Sequence, residues 1–96
     1  MSTPAGGSTI VVIPAFNEED ALPGVLAQLA SVRPDLDVVV VDDGSRDGTA
    51  AVARSHGVPC VPLPFNLGIG GALRAGFRYA ADEGYTRAVQ FDADGQ

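Results

Sequence analysis

The sequence predicts an α/β fold: a Rossmann-like, three-layer α/β/α arrangement around a mostly parallel sheet. Three observations carry that expectation. The runs Thr9-Ile10-Val11-Val12-Ile13 and Asp37-Val38-Val39-Val40-Val41 are continuously apolar and β-branched, the pattern of strands buried on both faces. Helical periodicity separates successive apolar runs, which calls for right-handed crossovers between parallel strands. Three of the runs are followed at their carboxyl ends by acidic segments, Asn17-Glu18, Asp42-Asp43 and Asp92-Asp94.

Composition narrows the function classes. The chain has 96 residues, 46% hydrophobic and 19% charged, which is ordinary globular composition for a single domain. Its net charge is −6, and all 6 bases are Arg. An acidic chain without Lys is poorly suited to nucleic acid backbones, although a metal can supply the positive charge for a phosphorylated ligand. Cys60 is the single cysteine, so no internal disulfide forms and a reducing compartment fits. No stretch approaches the ~20 apolar residues of a membrane span. Residues 1–8 are small and polar, lack the basic and apolar regions of a signal peptide, and read as a flexible lead-in. The expected location is the cytosol.

Strand one, Thr9 to Ile13, is expected to end at Pro14. Ala15-Phe16-Asn17-Glu18-Glu19-Asp20 follows, and then a helix with Leu22, Val25, Leu26 and Leu29 on one face, at i, i+3, i+4 and i+7. Pro23 suits a first turn, and the preceding acids suit the positive end of the helix dipole. Pro34 closes this helix. Strand two, Asp37 to Val41, leads into Asp42-Asp43-Gly44-Ser45 and a turn-rich loop, where Asp47 or Thr49 caps a short helix through Ser55. Gly57 stops it. Val58 to Pro62 reads as a short strand, and its prolines place it at a sheet edge. Asn66-Leu67-Gly68-Ile69-Gly70-Gly71 opens a third helix with an expected buried stripe of Ile69, Leu73, Phe77 and Ala80, ending at Gly84. The final strand is Arg87 to Phe91.

With strand three at an edge, the expected spatial order is 3-2-1-4. The winding then reverses between strands one and four, and ligands of open α/β sheets sit at the carboxyl ends near such a reversal. All three acidic segments fall on that rim. In extended chain, Asp92 and Asp94 project to the same side with Gln96 next in the series, and paired carboxylates call for a proton or a cation between them. A hard divalent ion, Mg²⁺ or Mn²⁺, with a phosphate ligand suits such oxygen donors. Three separate solvated turns are the plainer reading, but their convergence on one rim favours a site.

Several phosphate-handling folds share this topology and fail on the residues. The first βα turn is acidic and Gly-free where a dinucleotide fold needs glycines, and Leu73 stands where a G-x-G-x-x-G starting at Gly68 needs its third. No P-loop or receiver-type pocket is possible without Lys. The stretch starting at Asp43 resembles an EF-hand loop, but Arg54 occupies the position of the bidentate Glu. Asp92-Ala93-Asp94-Gly95 also resembles the nucleophile motif of haloacid-dehalogenase-type phosphatases, which there follows the first strand rather than the last.

Four stretches in order, Val12-Ile13-Pro14-Ala15-Phe16-Asn17-Glu18, Val40-Val41-Asp42-Asp43-Gly44-Ser45, Asn66-Leu67-Gly68-Ile69-Gly70-Gly71-Ala72 and Phe91-Asp92-Ala93-Asp94-Gly95-Gln96, resemble the family 2 glycosyltransferases of GT-A fold. The polyprenyl- and dolichyl-phosphate sugar synthases are the most similar group. The resemblance implies that residues 9–96 form the nucleotide-sugar-binding portion of such a domain. In that role Pro14, Phe16 and Glu18 border the base and ribose of a nucleoside-diphosphate sugar, GDP- or UDP-linked. Val41 and Asp43 contact the base, with Asp43 accepting from a ring N–H. Asp92 and Asp94 hold Mg²⁺ or Mn²⁺ on the diphosphate, with Ala93 close by and Gln96 as a further metal or phosphate contact. It also implies an inverting transfer to an acceptor such as a polyprenyl phosphate at the cytoplasmic face of a membrane.

Family members continue beyond D-x-D with more strands, an acceptor region and the acidic catalytic base. No catalytic base is therefore assigned within the 96 residues, and the chain alone is expected to bind donor but transfer sugar poorly. An alternative is a non-catalytic binding or assembly module that self-associates through the open edge of the last strand. Among the remaining residues, Asn66 reads equally as a turn former or as a loop-holding residue near the donor. Arg74 and Arg78 read as a solvated helix face, His56 as a helix-end residue, and Cys60 as edge-strand packing. Tyr79 and Tyr85 carry no particular signal.

Overall fold

The computed structural model describes residues 8–93. Strands β1 (Thr9–Ala15), β2 (Asp37–Asp42), β3 (Cys60–Pro62) and β4 (Arg87–Gln90) alternate with helices α1 (Leu22–Val32), α2 (Thr49–Ser55) and α3 (Gly68–Asp82). All pairings are parallel and the order is β3-β2-β1-β4, the arrangement expected from the prolines and the crossover rule. Central β1 is flanked on both sides, and Ile10, Val11, Val12 and Ile13 are buried to 2% exposure or less. One face of the sheet packs Val11, Ile13 and Val40 against Leu22, Val25 and Leu26 of α1 and Ala53 of α2. The other packs Ile10, Val12, Val39 and Val41 against Ala72 and Ala80 of α3.

The strand ends differ from expectation for reasons of hydrogen bonding. β1 runs through Pro14 to Ala15 instead of stopping before the proline. The Val12 carbonyl faces β4, where it accepts from the Phe91 N–H at 3.0 Å, and Pro14 two residues on faces the same side. Pairing with β4 ends at Val12 opposite Gln90, so the missing proline N–H costs no ladder bond. Ala15 turns back towards β2, and its carbonyl accepts from the Asp43 N–H at 2.8 Å. β3 is shorter than the expected Val58 to Pro62. The Val58 N–H is committed to the Ala53 carbonyl at the end of α2 (3.1 Å), and Pro59 has no N–H to offer.

Helix α3 keeps only part of its expected stripe: Ala80 is buried and Leu73 packs against the core, but Ile69 and Phe77 are turned out. Its buried residues are Ala72, Gly76 and Ala80, spaced i, i+4, i+8. Ile69 and Phe77 remain 59% and 43% exposed. Close approach to the sheet decides this: a Cβ on Gly76 runs into Val12 Cγ1 and stands 3.1 Å from Val41 Cγ2. A helix seated that near the strands accommodates only small residues beneath it, so Ile69 and Phe77 are turned away. Gly76→Ala is therefore expected to destabilise the fold by about 1–3 kcal/mol through overpacking, read as a lower urea midpoint at unchanged slope.

Candidate functional site

At the carboxyl ends of β1 and β2, beside the start of α3, lies a cleft of about 240 Å³ bordered by Pro14, Phe16, Asp43, Asn66, Gly68 and Ile69. Among them Asp43 is 4% exposed. A buried carboxylate needs hydrogen-bonding partners, and α3 supplies them. Asp43 Oδ1 accepts from the Leu67 N–H at 2.7 Å, and Oδ2 accepts from the Gly68 N–H at 3.0 Å and from Asn66 Nδ2 at 3.1 Å. These amides lie at the positive end of the helix dipole, where a carboxylate is favoured. Asn66 Nδ2 also donates to the Asp43 carbonyl at 3.2 Å.

The loops after β1 and β2 are bonded reciprocally. The Asn17 N–H donates to Ser45 Oγ while Asn17 Oδ1 accepts from the Arg46 N–H, both at 2.9 Å. The Glu18 N–H donates to Thr49 Oγ1 at 2.9 Å, and Glu19 Oε1 accepts from the Gly48 N–H at 2.9 Å. Asn17 adopts a left-handed backbone, φ 54°, a conformation Asn tolerates better than most residues. Gly44 is required for a further reason. Its φ is +75°, and a Cβ there lies 2.5 Å from the Asn66 nitrogen and the Phe65 carbonyl carbon. The loop after β2 thus rests directly on the chain entering α3.

Several acids of the rim serve these loops. Asp42 Oδ1 accepts from the Ser45 N–H at 2.9 Å. Asp47 accepts from the N–H and hydroxyl of Thr49 and from the Glu19 N–H. Burial pushes the Asp47 carboxyl upward, but these donors outweigh it and hold it below the ordinary carboxylate range.

Pro14, Phe16 and Asp43 come together as the sequence suggests, with Glu18 on the adjoining loop. Val41 does not border the cleft; it is fully buried beneath α3. The alternation expected for Asp92 and Asp94 rests on extended chain, yet β4 ends at Gln90 and Ala93 lies in a turn. Ala93 is buried against the α1 and α2 side of the core, while Asp92 is exposed and receives the Gln90 amide at 3.4 Å. Asp94 and Gln96 lie outside the described residues. Among the described residues no group of three or more His, Cys, Asp or Glu side chains gathers to hold a metal. Asp92 contributes one exposed carboxylate, a donor of the hard type that Mg²⁺ and Mn²⁺ take. Sequence reasoning named Asn17, Ser45 and Thr49 as motif or capping residues and missed the bonds they make between the two loops. Each belongs to a type that bonds backbone in loops, which gives a local signal without naming the partner.

A larger cavity, about 500 Å³, opens at the amino end of β2 between Leu26, Leu29, Arg33, Val58, Tyr79 and Tyr85. The Tyr85 hydroxyl donates to the Asp37 carboxylate there, which pushes Tyr85 up to about 12. It lies at the opposite end of the sheet from the converging acids, so the smaller cleft is the functional candidate.

Comparison with known proteins agrees with this geometry. The model of "Glycosyl transferase family 2" matches residues 10–96. The chain is 42% identical over 91 residues to an undecaprenyl-phosphate mannosyltransferase of Micrococcus luteus, a match covering 90% of this chain and 37% of that protein. The chain belongs to glycosyl transferase family 2. Solved structures of sugar-transferring enzymes are among its structural neighbours. The glucosyl-3-phosphoglycerate synthase of Mycobacterium tuberculosis, in complex with UDP, superposes with a TM-score of 0.75 at 30% identity, over 93% of this chain and 34% of that one. A mannosyltransferase of Pyrobaculum calidifontis, in complex with GDP-Man and Mn²⁺, gives 0.75 at 27% identity, over 90% and 27%. The chain thus spans 37% of that relative and 34% and 27% of those two structures.

Two outcomes test the site's construction. Gly44→Ala is expected to cost at least about 1–2 kcal/mol from the left-handed backbone alone, with a further loss from the collision, measured by urea unfolding. On acidification, the Asp47 contribution to stability is present above its unfolded pKa of about 3.9 and is lost as pH falls through the lower folded value. Asp47→Asn should therefore flatten the acid limb of the stability profile in that window.

Proposed function

We propose that this chain is the donor-binding portion of an inverting glycosyltransferase that moves a sugar from a nucleoside-diphosphate sugar to a polyprenyl phosphate. The observation that carries the reading is the cleft that brings Pro14, Phe16 and Asp43 together at the carboxyl ends of β1 and β2, the rim on which open α/β sheets bind ligands. Relatives named for undecaprenyl-phosphate mannosyl transfer and neighbours complexed with UDP or with GDP-Man and Mn²⁺ support both the donor class and the acceptor class.

In this reading Pro14 and Phe16 border the base and ribose, with Glu18 beside them. Asp43 accepts a hydrogen bond from the base, and Val41 supports it from the core. Asp92 and Asp94 hold Mg²⁺ or Mn²⁺, with Gln96 as a further ligand or phosphate contact, while the intervening Ala93 is packed into the core. The cation, when bound, stabilises negative charge on the departing nucleoside diphosphate. The acceptor oxygen attacks the anomeric carbon from the face opposite the diphosphate, and the electron pair of the broken carbon–oxygen bond leaves with the diphosphate. Among the described residues no helix is long and apolar enough to cross a membrane, and the reaction is placed at the cytoplasmic membrane face because of the lipid acceptor.

A second reading, assembly through the sheet edge, has one supporting observation. Among the described residues β4 pairs only with β1, and Val89 on β4 is 46% exposed. Such an edge favours pairing with another chain.

Calorimetric titration with GDP and UDP, with and without Mn²⁺, separates the two. The donor-site reading expects Mn²⁺-dependent binding of one nucleotide that disappears in Asp94→Asn and weakens in Asp92→Asn. Concentration-dependent oligomers from a folded chain that binds neither nucleotide would establish the assembly reading instead.

A further inference from the structure

We propose that Asn66 is a positioning residue for nucleotide recognition, acting on the base through the Asp43 carboxylate; the inference rests on the donor-site reading above. A carboxylate that serves as the acceptor for a base must keep one lone pair open and fixed in direction. Each carboxylate oxygen offers about two acceptor positions. Oδ2 of Asp43 has both taken, by Gly68 N–H and Asn66 Nδ2, whereas Oδ1 has one taken, by Leu67 N–H. A single further acceptor position therefore remains on Oδ1, in a residue that borders the cleft.

The two backbone donors lie side by side at the start of one helix, so by themselves they leave the carboxylate free to tilt about that end. Asn66 removes the freedom. Its amide grips Asp43 at two atoms, the side-chain Oδ2 and the main-chain carbonyl, so carboxylate and backbone are referred to the same donor. The Asn66 backbone lies directly against the loop after β2: a Cβ on Gly44 would come within 2.5 Å of its nitrogen. Gly44, Asn66 and Asp43 thus form one clasp between the loop after β2 and the entry to α3. The Asn66 side chain belongs to that clasp, and its effect on the base passes through Asp43.

The test compares two ligands on the full chain: UDP or GDP with Mn²⁺, which use the base end of the site, and inorganic pyrophosphate with Mn²⁺, which uses only the phosphate end. For Asn66→Ala with retained cooperative melting, the expected result is at least about a tenfold loss of nucleotide affinity, equivalent to the removal of roughly one charge-assisted hydrogen bond, at unchanged pyrophosphate affinity. Unchanged nucleotide affinity overturns the inference, and so does an equal loss for both ligands, which marks a general structural role. Should Asn66→Ala fail to fold, the isosteric Asn66→Asp replaces the donor with a like charge beside Asp43. Its nucleotide affinity relative to wild type should then rise between about pH 8 and about pH 5.5, because the introduced carboxyl donates to Asp43 once protonated. A flat ratio overturns the inference. If wild-type chain binds pyrophosphate and Mn²⁺ but no nucleotide, the base-site reading falls and takes this inference with it. If it binds nucleotide and Asn66→Ala does too, only the inference falls.

Discussion

The structure of the rim depends on one buried charge. Asp43 sits at the end of β2 with 4% exposure, a position that is costly for a carboxylate unless donors surround it. The donors are the first amides of α3, which as a helix N-terminus lack intrahelical partners of their own. Each side therefore removes the other's unsatisfied groups, and the bond fixes where α3 begins. From that start the helix runs back across the sheet with Ala72, Gly76 and Ala80 against Val12 and Val41. The cleft exists because helix start and strand end are held at this separation.

The loops follow from the same constraint. With Asp43 drawn to α3, the chain after it must turn within Gly44 under the Phe65–Asn66 peptide. The next residues, Ser45 to Thr49, then meet the loop from β1 through bonds to Asn17, Glu18 and Glu19. A rim rich in acids is held together because most of those acids accept backbone N–H groups. The carboxylate of Asp92 stands apart, exposed beyond the end of β4.

Much of this architecture was legible in the sequence. The β-branched runs marked β1 and β2, the prolines put β3 at an edge, and crossover handedness then gave the strand order. The convergence of acids on one rim followed, and so did the grouping of Pro14, Phe16 and Asp43. The reading failed where distance between elements decides the outcome. Periodicity alone assigned Ile69 and Phe77 to the core, because large apolar residues are the usual buried ones, but α3 lies too close to the sheet for them. Pro14 looked like a strand terminator because sequence does not say which neighbour a residue's N–H faces. That the loop acids accept backbone N–H groups was not legible, because the donors come from segments about 30 positions away, as Glu19 and Gly48 show (|i−j| of 29).

The pairing of β1 carries a consequence for how the chain acquires its form. Of the four described strands β1 leaves the ribosome first, yet its partner on one side, β4, lies 78 positions later, the separation that also joins Ser8 to Thr86. At about 5–20 residues per second, one flank of the most apolar strand waits on the order of 4–16 s for its neighbour. During that interval β2 and β3 can pair on the other flank with α1 and α2 in place, since those contacts are comparatively local. Final closure then requires a long loop to be drawn in, which is entropically slow for parallel sheets. Among the four described strands the most apolar one is made first and flanked last, and its open flank is the surface most in need of protection while synthesis continues.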